Sequence, residues 1–347
     1  MGCRMCSEFK YLPFFIRSIF ISSQEDLDKF RMALSSDYDY DLRWIHNESG
    51  LNAHPEGDVE FQVYAAACYS LIFCISLPGN SFLLWVLLKE RAWRTTRDIF
   101  LLQLAVSNLC STATLPFMAS NDLHSWGFEG WACGALRALH RLGWTSYPII
   151  VTAMVLHSYI TVVHASRVSA QAFSKRRVLV GSIVMWLACA AVAVGFATMC
   201  FSSPSVFMLY FDTYFHVILL FLLPLAIVTF CYVHLWITIR QGRINRQDQP
   251  SKLILGITVG YFLCVAPHTI IAFIAVVLPT ATHILLDQKA LLYALLITYP
   301  LIHFYCLLYP LVYIPGAQRF RRHLPQRCHR SGDDEPVAVV NLLETTE

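Results

Sequence analysis

The sequence is poor in charged residues. Asp, Glu, Lys and Arg together make up 14% of its 347 residues, whereas a soluble domain carries about 25%. Its twelve cysteines are too few and too scattered for a disulfide scaffold. The sequence also lacks a Walker loop, a dinucleotide-binding glycine fingerprint, a His-Glu-x-x-His motif and a Gly-x-Ser-x-Gly motif. We therefore expect no enzyme, no cofactor and no nucleic-acid partner, and with 56% apolar residues and a mean hydropathy of +0.51 a membrane protein is favoured.

Seven apolar blocks are long enough to cross a bilayer, whose core requires about 20 residues per helix. They cover residues 62–88, 98–121, 131–164, 177–198, 208–239, 252–278 and 289–314. None of them alternates with a period of two, as a barrel strand would, and main-chain groups in lipid need partners within their own segment. The sequence therefore predicts an all-α membrane protein, with a seven-helix transmembrane domain over residues 61–314.

Lysine and arginine are concentrated on one side of these blocks. Most of them lie in the connectors after the first, third and fifth blocks and in the tail, whereas residues 33–60 contain seven acidic residues and one arginine. By the positive-inside rule, residues 1–60 form an extracellular tail and residues 315–347 a cytoplasmic tail. The basic stretch 319–324 predicts a short amphipathic eighth helix. Residues 1–31 are either a weak signal peptide or an alternative-start extension.

Residues within the blocks resemble the rhodopsin-like class of G protein-coupled receptors over residues 61–324. The matching residues are Gly79-Asn80, Trp186, Pro224 with Tyr232, Pro267, and Pro310 with Tyr313. A single proline kink is tolerated in any membrane helix, but prolines at matching depths in the last three helices are not a chance pattern.

Within that class the sequence resembles the chemokine receptors, and the XC (lymphotactin) type in particular. The features that carry this are Thr114-Leu115-Pro116, which matches the family's Thr-x-Pro kink in the second helix, Trp126-Gly127-Phe128, the third-helix triplet that begins at His157, and the run Tyr293 to Ile297. The resemblance implies a multi-pass plasma-membrane receptor, surrounded by lipid, that binds a basic chemokine-like protein outside the cell and relays the signal to a heterotrimeric G protein. The alternatives are an atypical scavenger receptor with weak or no G protein coupling, a receptor for a non-chemokine peptide or lipid, and a seven-helix transporter.

The extracellular tail contains an acidic tyrosine motif, Asp37-Tyr38-Asp39-Tyr40-Asp41. Such a run need be no more than a solvated acidic segment. Tyrosines surrounded by acidic residues are also substrates for sulfation in the secretory pathway, and a sulfated Tyr38 and Tyr40 would attract a basic ligand. Asn47 opens a glycosylation sequon in the same tail.

Ionisable residues in the outer half of the third helix are candidates for a ligand pocket. Arg137, His140 and Arg141 lie at or near one helical face, and such groups at membrane depth usually face a cavity or a partner. For Arg137 the alternative is snorkelling to the outer interface. The resemblance adds Trp126 and Tyr299 to the ligand-binding residues, although Tyr299 replaces the glutamate usual in the family. It also implies a disulfide between Cys133 and Cys200.

The residues that switch rhodopsin-like receptors depart from the family pattern. His157-Ser158-Tyr159 replaces Asp-Arg-Tyr, so the arginine that meets the G protein is missing. Asn108 replaces the buried aspartate of the second helix, Val265 the toggle tryptophan, and Tyr309 the asparagine of Asn-Pro-x-x-Tyr. The family's other switch positions are kept: Tyr232, Pro267, Pro310 and Tyr313. These departures from the family pattern predict weak or absent G protein coupling together with intact ligand binding.

Overall fold

The computed structural model of the protein describes residues 55–90, 95–124, 130–163, 175–198, 211–241, 252–277, 288–317, 320 and 322–323. These residues form helices and turns, and they include no β-strand. The predicted sulfation and glycosylation sites, and residues 1–54 generally, lie outside the described residues. Of the predicted eighth helix, Phe320, Arg322 and His323 are described. Phe320 is buried and packs against Tyr313, with ring centroids 6.2 Å apart.

Seven helices cross the membrane, as the sequence predicts, and each contains a span of 23 to 33 residues with the required length and hydropathy. We number them α1 (Pro55–Lys89), α2 (two segments, Thr96–Thr112 and Leu115–His124), α3 (Gly130–Val163), α4 (Lys175–Ala197), α5 (an α-helical turn at 211–214, the π-helical segment Phe215–Leu222 and the α-helical segment Leu223–Arg240), α6 (Lys252–Val277) and α7 (two segments, Gln288–Ile302 and Tyr305–Gly316).

Two of the helices are interrupted. In α2 the interruption precedes Pro116, where the sequence predicts a kink, and the Thr114 hydroxyl donates to the Ser111 carbonyl oxygen at 2.7 Å. In α7 the chain turns at His303 and Phe304, whose amides donate to carbonyl oxygens three residues earlier. Pro300 precedes this turn and cannot donate an α-helical hydrogen bond. The α7 turn is not signalled by any kink motif that the sequence resemblance identifies.

Glycines allow the closest helix contacts. A Cβ atom on Gly79 of α1 would lie 2.6 Å from Cβ of Pro310 in α7. Gly143 places α3 equally close to the main chain of α2. Because no side chain larger than hydrogen fits at these two positions without movement of the helices, the bundle is tightly packed there.

Large apolar side chains are exposed along six of the seven spans, and α2 has none among its described residues. Leu187 of α4, Phe230 of α5 and Leu263 of α6 are each more than 60% exposed. Apolar area of this extent is unusual on a water-facing surface. It is the surface expected of helices that face lipid.

Candidate functional site

The outer half of α3 carries a stripe of polar and aromatic residues. Arg137, His140, Arg141 and Trp144 follow the spacing of one helical face. Arg137 is 8% exposed, the burial expected of a group that faces the protein and not the lipid headgroups. Arg141 donates from Nη2 to Oδ1 of Asp212 in α5 at 2.5 Å.

Arg141 also lies over an aromatic ring, with its Cζ 3.8 Å from the centroid of Phe196 in α4. The side chain of Arg141 is 15% exposed and that of Asp212 is 34% exposed. Through Asp212 and Phe196, Arg141 of α3 therefore contacts both α5 and α4 at the outer side of the bundle. Arg141, predicted as a ligand-binding residue, has an intramolecular carboxylate partner.

Below this pair, four helices contribute one histidine each to a cluster that we call the histidine layer: His140, His216, His268 and His303. The rings of His140 and His303 lie 5.2 Å apart, centroid to centroid. Trp144 stacks on His216 at 5.1 Å and lies 6.2 Å from His303. Tyr299 lies 5.4 Å from His268 and 5.6 Å from His303. The structure thus brings together two of the predicted pocket residues, His140 and Tyr299.

Hydrogen bonds orient two of these histidines. Nδ1 of His140 is 3.0 Å from the Thr114 hydroxyl, and Nδ1 of His268 is 3.1 Å from the Thr298 hydroxyl. In contrast, Nε2 of His216 is buried without a hydrogen-bond partner among the described residues, and the His303 imidazole bonds to the main chain of Tyr299 and Pro300, one turn earlier in α7. Buried polar atoms in proteins are normally satisfied by protein, water or ligand. The histidine layer can therefore form a hydrogen bond with a polar group that does not belong to the described residues.

Sequence reasoning missed His216, His268 and His303. The signal that finds His140, an ionisable residue at membrane depth, applies equally to these three residues. His140 differs from them in having basic neighbours within one helical turn, Arg137 and Arg141, which strengthen that signal.

Three tyrosines fill the bundle on the cytoplasmic side of the histidine layer. Tyr147 lies 4.5 Å from Tyr305 and 5.2 Å from Tyr261. The Tyr305 hydroxyl is 2.8 Å from the Ser111 hydroxyl, and the Tyr261 hydroxyl donates to the Leu220 carbonyl oxygen at 3.4 Å. Val265, which replaces the toggle tryptophan, is fully buried one helical turn from Tyr261. Pro267 lies beyond it, within the continuous helix α6.

A neutral hydrogen-bond network stands where the family has a buried aspartate. Nδ2 of Asn108 donates to Oδ1 of Asn80 at 3.0 Å. Nδ2 of Asn80 donates to the Cys306 carbonyl oxygen at 3.0 Å and to the Ser76 hydroxyl at 2.9 Å. The Ser76 hydroxyl is in turn 2.8 Å from that of Thr112. The network joins α1, α2 and α7 without a carboxylate.

At the inner end of α3, Ser158 points back to its own helix. Its hydroxyl donates to the Met154 carbonyl oxygen at 2.8 Å. The flanking residues contact neighbouring helices: the His157 ring lies 5.8 Å from that of Phe100, and the Tyr159 hydroxyl is 3.2 Å from Nδ1 of His234. The triplet therefore carries a neutral hydroxyl in place of the family's arginine.

The remaining switch residues are packed in the inner half of the bundle. Tyr309 and Tyr313 are buried, with ring centroids 5.0 Å apart, and Pro310 lies between them in α7 against Gly79. Tyr232 is partly buried against the apolar core.

Cys133, near the start of α3, is buried and disulfide-bonded. The other described cysteines, seven in number, are free thiols, and Cys200 lies outside the described residues. The pairing of Cys133 with Cys200 stays a prediction. Trp126 also lies outside the described residues.

Comparison with known proteins supports the family resemblance that the sequence motifs indicate. Residues 79–313 match the family model described as 7 transmembrane receptor (rhodopsin family). The chain is 30% identical to human chemokine XC receptor 1 over 264 residues, which cover 74% of this chain and 78% of that receptor. It is 31% identical to mouse chemokine XC receptor 1, covering 74% and 80% of the two chains. It is 28% identical to mouse atypical chemokine receptor 2, covering 84% and 80%.

Proposed function

Because the chain belongs to the rhodopsin-like family of seven-transmembrane receptors, and within it to the chemokine receptors, we propose that it binds a basic chemokine outside the cell and relays binding weakly to a heterotrimeric G protein. It is a multi-pass plasma-membrane protein and not an enzyme. The proposal includes the extracellular tail over residues 1–60 and the cytoplasmic tail over residues 315–347.

The observation that carries the ligand-binding part is the polar interior of the outer bundle. His140, His216 and His303 come from three helices, and Nε2 of His216 lacks a hydrogen-bond partner among the described residues. A segment of a protein ligand can therefore satisfy groups that the described chain leaves open. The acidic motif around Tyr38 and Tyr40 would supply long-range attraction for the basic body of that ligand.

The observation that limits the G protein part is the orientation of Ser158. A hydroxyl bonded to Met154 of its own helix cannot reach into a G protein as an arginine would. The neutral pair of Asn80 and Asn108 further removes the buried charge from the relay between ligand and cytoplasmic face.

These two features favour a second candidate, an atypical receptor that binds and internalises chemokine without nucleotide exchange. One of the relatives is named an atypical chemokine receptor. A receptor for a non-chemokine peptide is the remaining alternative.

The test is a binding screen on intact cells that express the full chain together with a tyrosine sulfotransferase. Fluorescent chemokines are applied as a panel, and untransfected cells and cells without the sulfotransferase serve as controls. We expect saturable binding of at least one chemokine, stronger on sulfated receptor. If the receptor reaches the surface and no chemokine binds above the untransfected background, the proposed function is wrong.

A further inference from the structure

We propose that Trp144 of α3 occupies the space of the toggle tryptophan that Val265 replaces on α6, and that it is the positioning residue through which a bound ligand acts on the centre of the bundle. The inference rests on the proposed function in one respect, namely that a protein ligand inserts a segment between the helices. It goes beyond that function because it assigns the residue through which the inserted segment acts.

Trp144 lies between two layers of aromatic rings. Its outer neighbours are His216 of α5, on which it stacks at 5.1 Å, and His303 of α7, at 6.2 Å between ring centroids. Its inner neighbour is Tyr305 of α7, at 5.6 Å. The three tyrosines on the inner side, which we call the tyrosine cluster, are Tyr147, Tyr261 and Tyr305. With 8% of its surface exposed, the indole of Trp144 is enclosed by protein and links the histidine layer to this cluster.

The tyrosine cluster shows which residue of α6 lies opposite Trp144. Tyr147 of α3 and Tyr261 of α6 are in contact, with ring centroids 5.2 Å apart, and these two helices cross the membrane in opposite directions. Trp144 precedes Tyr147 by three positions, and Val265 follows Tyr261 by four. Each therefore lies about one helical turn farther out, on the same face of its helix as the tyrosine. The side chains of Trp144 and Val265 thus face the same space between α3 and α6.

The sizes of these two side chains are complementary. Val265 is fully buried, although it replaces the much larger tryptophan that the family resemblance places at this position. Protein interiors contain few voids, so a neighbouring side chain must fill the volume that an indole on α6 would have filled. Trp144 borders this volume from α3. The indole is therefore supplied by α3 in place of α6, and the filled volume is preserved.

Contacts of the tyrosine cluster extend to two further helices. Tyr305 lies 4.5 Å from Tyr147 and 6.0 Å from Tyr261, centroid to centroid. The Tyr305 hydroxyl is 2.8 Å from that of Ser111 in α2, and the Tyr261 hydroxyl donates to the Leu220 carbonyl oxygen in α5 at 3.4 Å. The cluster therefore connects α3, α6 and α7 with α2 and α5.

The indole of Trp144 cannot move without displacing its neighbours. It is stacked on His216 and in contact with Tyr305, and packed interiors transmit such displacements. A ligand segment that displaces His216 or His303 therefore changes the position of Trp144 and, through it, of the tyrosine cluster. A tryptophan that only filled the core would contribute stability without this effect. Because an intermediate position in space does not establish coupling, the test measures both properties.

The first experiment exchanges the two side chains. Purified full-length receptor in detergent is heated, and unfolding is followed with a dye that reacts with thiols exposed on unfolding. Trp144→Val leaves a cavity and should lower the unfolding midpoint by about 4 °C or more. Val265→Trp overfills a packed site and should lower it by about 2 °C or more. Because the two side chains share one space, the loss in the double variant should be smaller than the sum of the single losses by about 2 °C or more.

The matched control is Trp186→Val in α4, whose indole donates to Gln103 of α2 at 3.3 Å and belongs to neither layer. Combined with Val265→Trp, it should give the sum of the two single losses, because distant sites contribute additively. If Val265→Trp does not fold alone, a folded double variant supports the proposal. A double variant that does not fold, while Trp144→Val alone does, overturns it. If Trp144→Val does not fold, the smaller exchange of Trp144→Phe with Val265→Leu is interpreted in the same way.

The second experiment asks whether the ligand acts through Trp144. The receptor is labelled with 3-fluorotyrosine, and the fluorine NMR resonance of Tyr261 is assigned by its loss in Tyr261→Phe. We expect the chemokine found in the cell screen, at a concentration that saturates each variant, to shift this resonance in the wild type and in Trp186→Val. The shift should be absent in Trp144→Val, or reduced in Trp144→Phe if the valine variant does not fold.

The outcomes separate this inference from the proposed function. Additive losses in the exchange, a Tyr261 resonance that does not respond to bound chemokine, or a response that is unchanged without the indole of Trp144 would each overturn the inference and leave the proposed function intact. If no chemokine binds in the cell screen, the proposed function is wrong, and the exchange of Trp144 with Val265 alone decides whether α3 supplies the indole.

Discussion

Replacing Gly143 by alanine tests the contact between α2 and α3 that positions the pocket stripe. A Cβ atom at this residue would lie 2.6 Å from the carbonyl oxygen of Ser107 and 2.7 Å from the amide nitrogen of Ser111. Both are main-chain atoms of α2, so no side-chain rotation relieves the contact. The Ser107 hydroxyl also donates to the Gly143 carbonyl oxygen at 2.9 Å, and this hydrogen bond would be strained when the helices separate.

The magnitude follows from overpacking. Forcing an extra methyl group into a well-packed contact costs about 1 to 3 kcal/mol, and the better helix propensity of alanine returns about 0.5 to 1 kcal/mol. We therefore expect Gly143→Ala to lower the free energy of unfolding, with a fall of about 2 °C or more in the unfolding midpoint. The matched control is Gly181→Ala in α4, where an added Cβ atom meets nothing within 4 Å. That variant should unfold at the same temperature as the wild type or slightly higher.

The assay is thermal unfolding of the detergent-solubilised receptor, followed with a thiol-reactive dye that labels the buried free thiols Cys189, Cys231 and Cys306 when the protein unfolds. Gly143→Ala and Gly181→Ala make the same chemical change in membrane helices, so their difference isolates the helix contact. If Gly143→Ala unfolded no earlier than Gly181→Ala, the close approach of α2 and α3 would not be a property of the folded receptor.

Three further predictions concern function. Replacing Tyr38 and Tyr40 together by Phe should weaken binding of the chemokine found in the screen by roughly tenfold at low ionic strength and less at high salt; equal affinity at low salt would exclude sulfotyrosine as a contributor. Cys133→Ala and Cys200→Ala should each abolish that binding at the cell surface, and alkylation of both thiols in native, ligand-binding receptor would exclude the disulfide. Wild-type receptor should give weak nucleotide exchange that Ser158→Arg increases, as measured in a G protein activation assay. Strong exchange by the wild type with no gain from arginine would identify an ordinary signalling receptor.

The helices could be predicted because their signal is local. Each span needs about 20 consecutive apolar residues, and a pattern of that length survives errors of a few residues at each end. The interruption of α2 was equally accessible, since Thr114 and Pro116 are adjacent in sequence and the hydroxyl bonds within its own turn. The stripe on α3 follows from spacing within one helix.

The rest of the site depends on contacts between helices. His216, His268 and His303 lie on three different helices, and the rotation of each about its own axis is set by packing that no single-helix pattern encodes. Asp212 is the partner of Arg141, yet the two lie 71 positions apart in the chain. The sequence does not predict the π-helical segment either, because Phe215–Leu222 contains neither the glycine nor the proline that would indicate an irregular helix.

That segment has a consequence for how this receptor is compared with others. A π-helical turn accommodates more residues than an α-helical turn, and each added residue changes the facing of what precedes it by about 100°. An ungapped alignment anchored on Pro224, against a relative whose fifth helix is regular throughout, would therefore assign Asp212 to the wrong neighbour. For residues that precede Phe215, equivalent positions in two receptors should be identified by the helix that each residue faces. Deletion of Ile218 would test whether the extra residue that shifts the alignment lies within the π-helical segment.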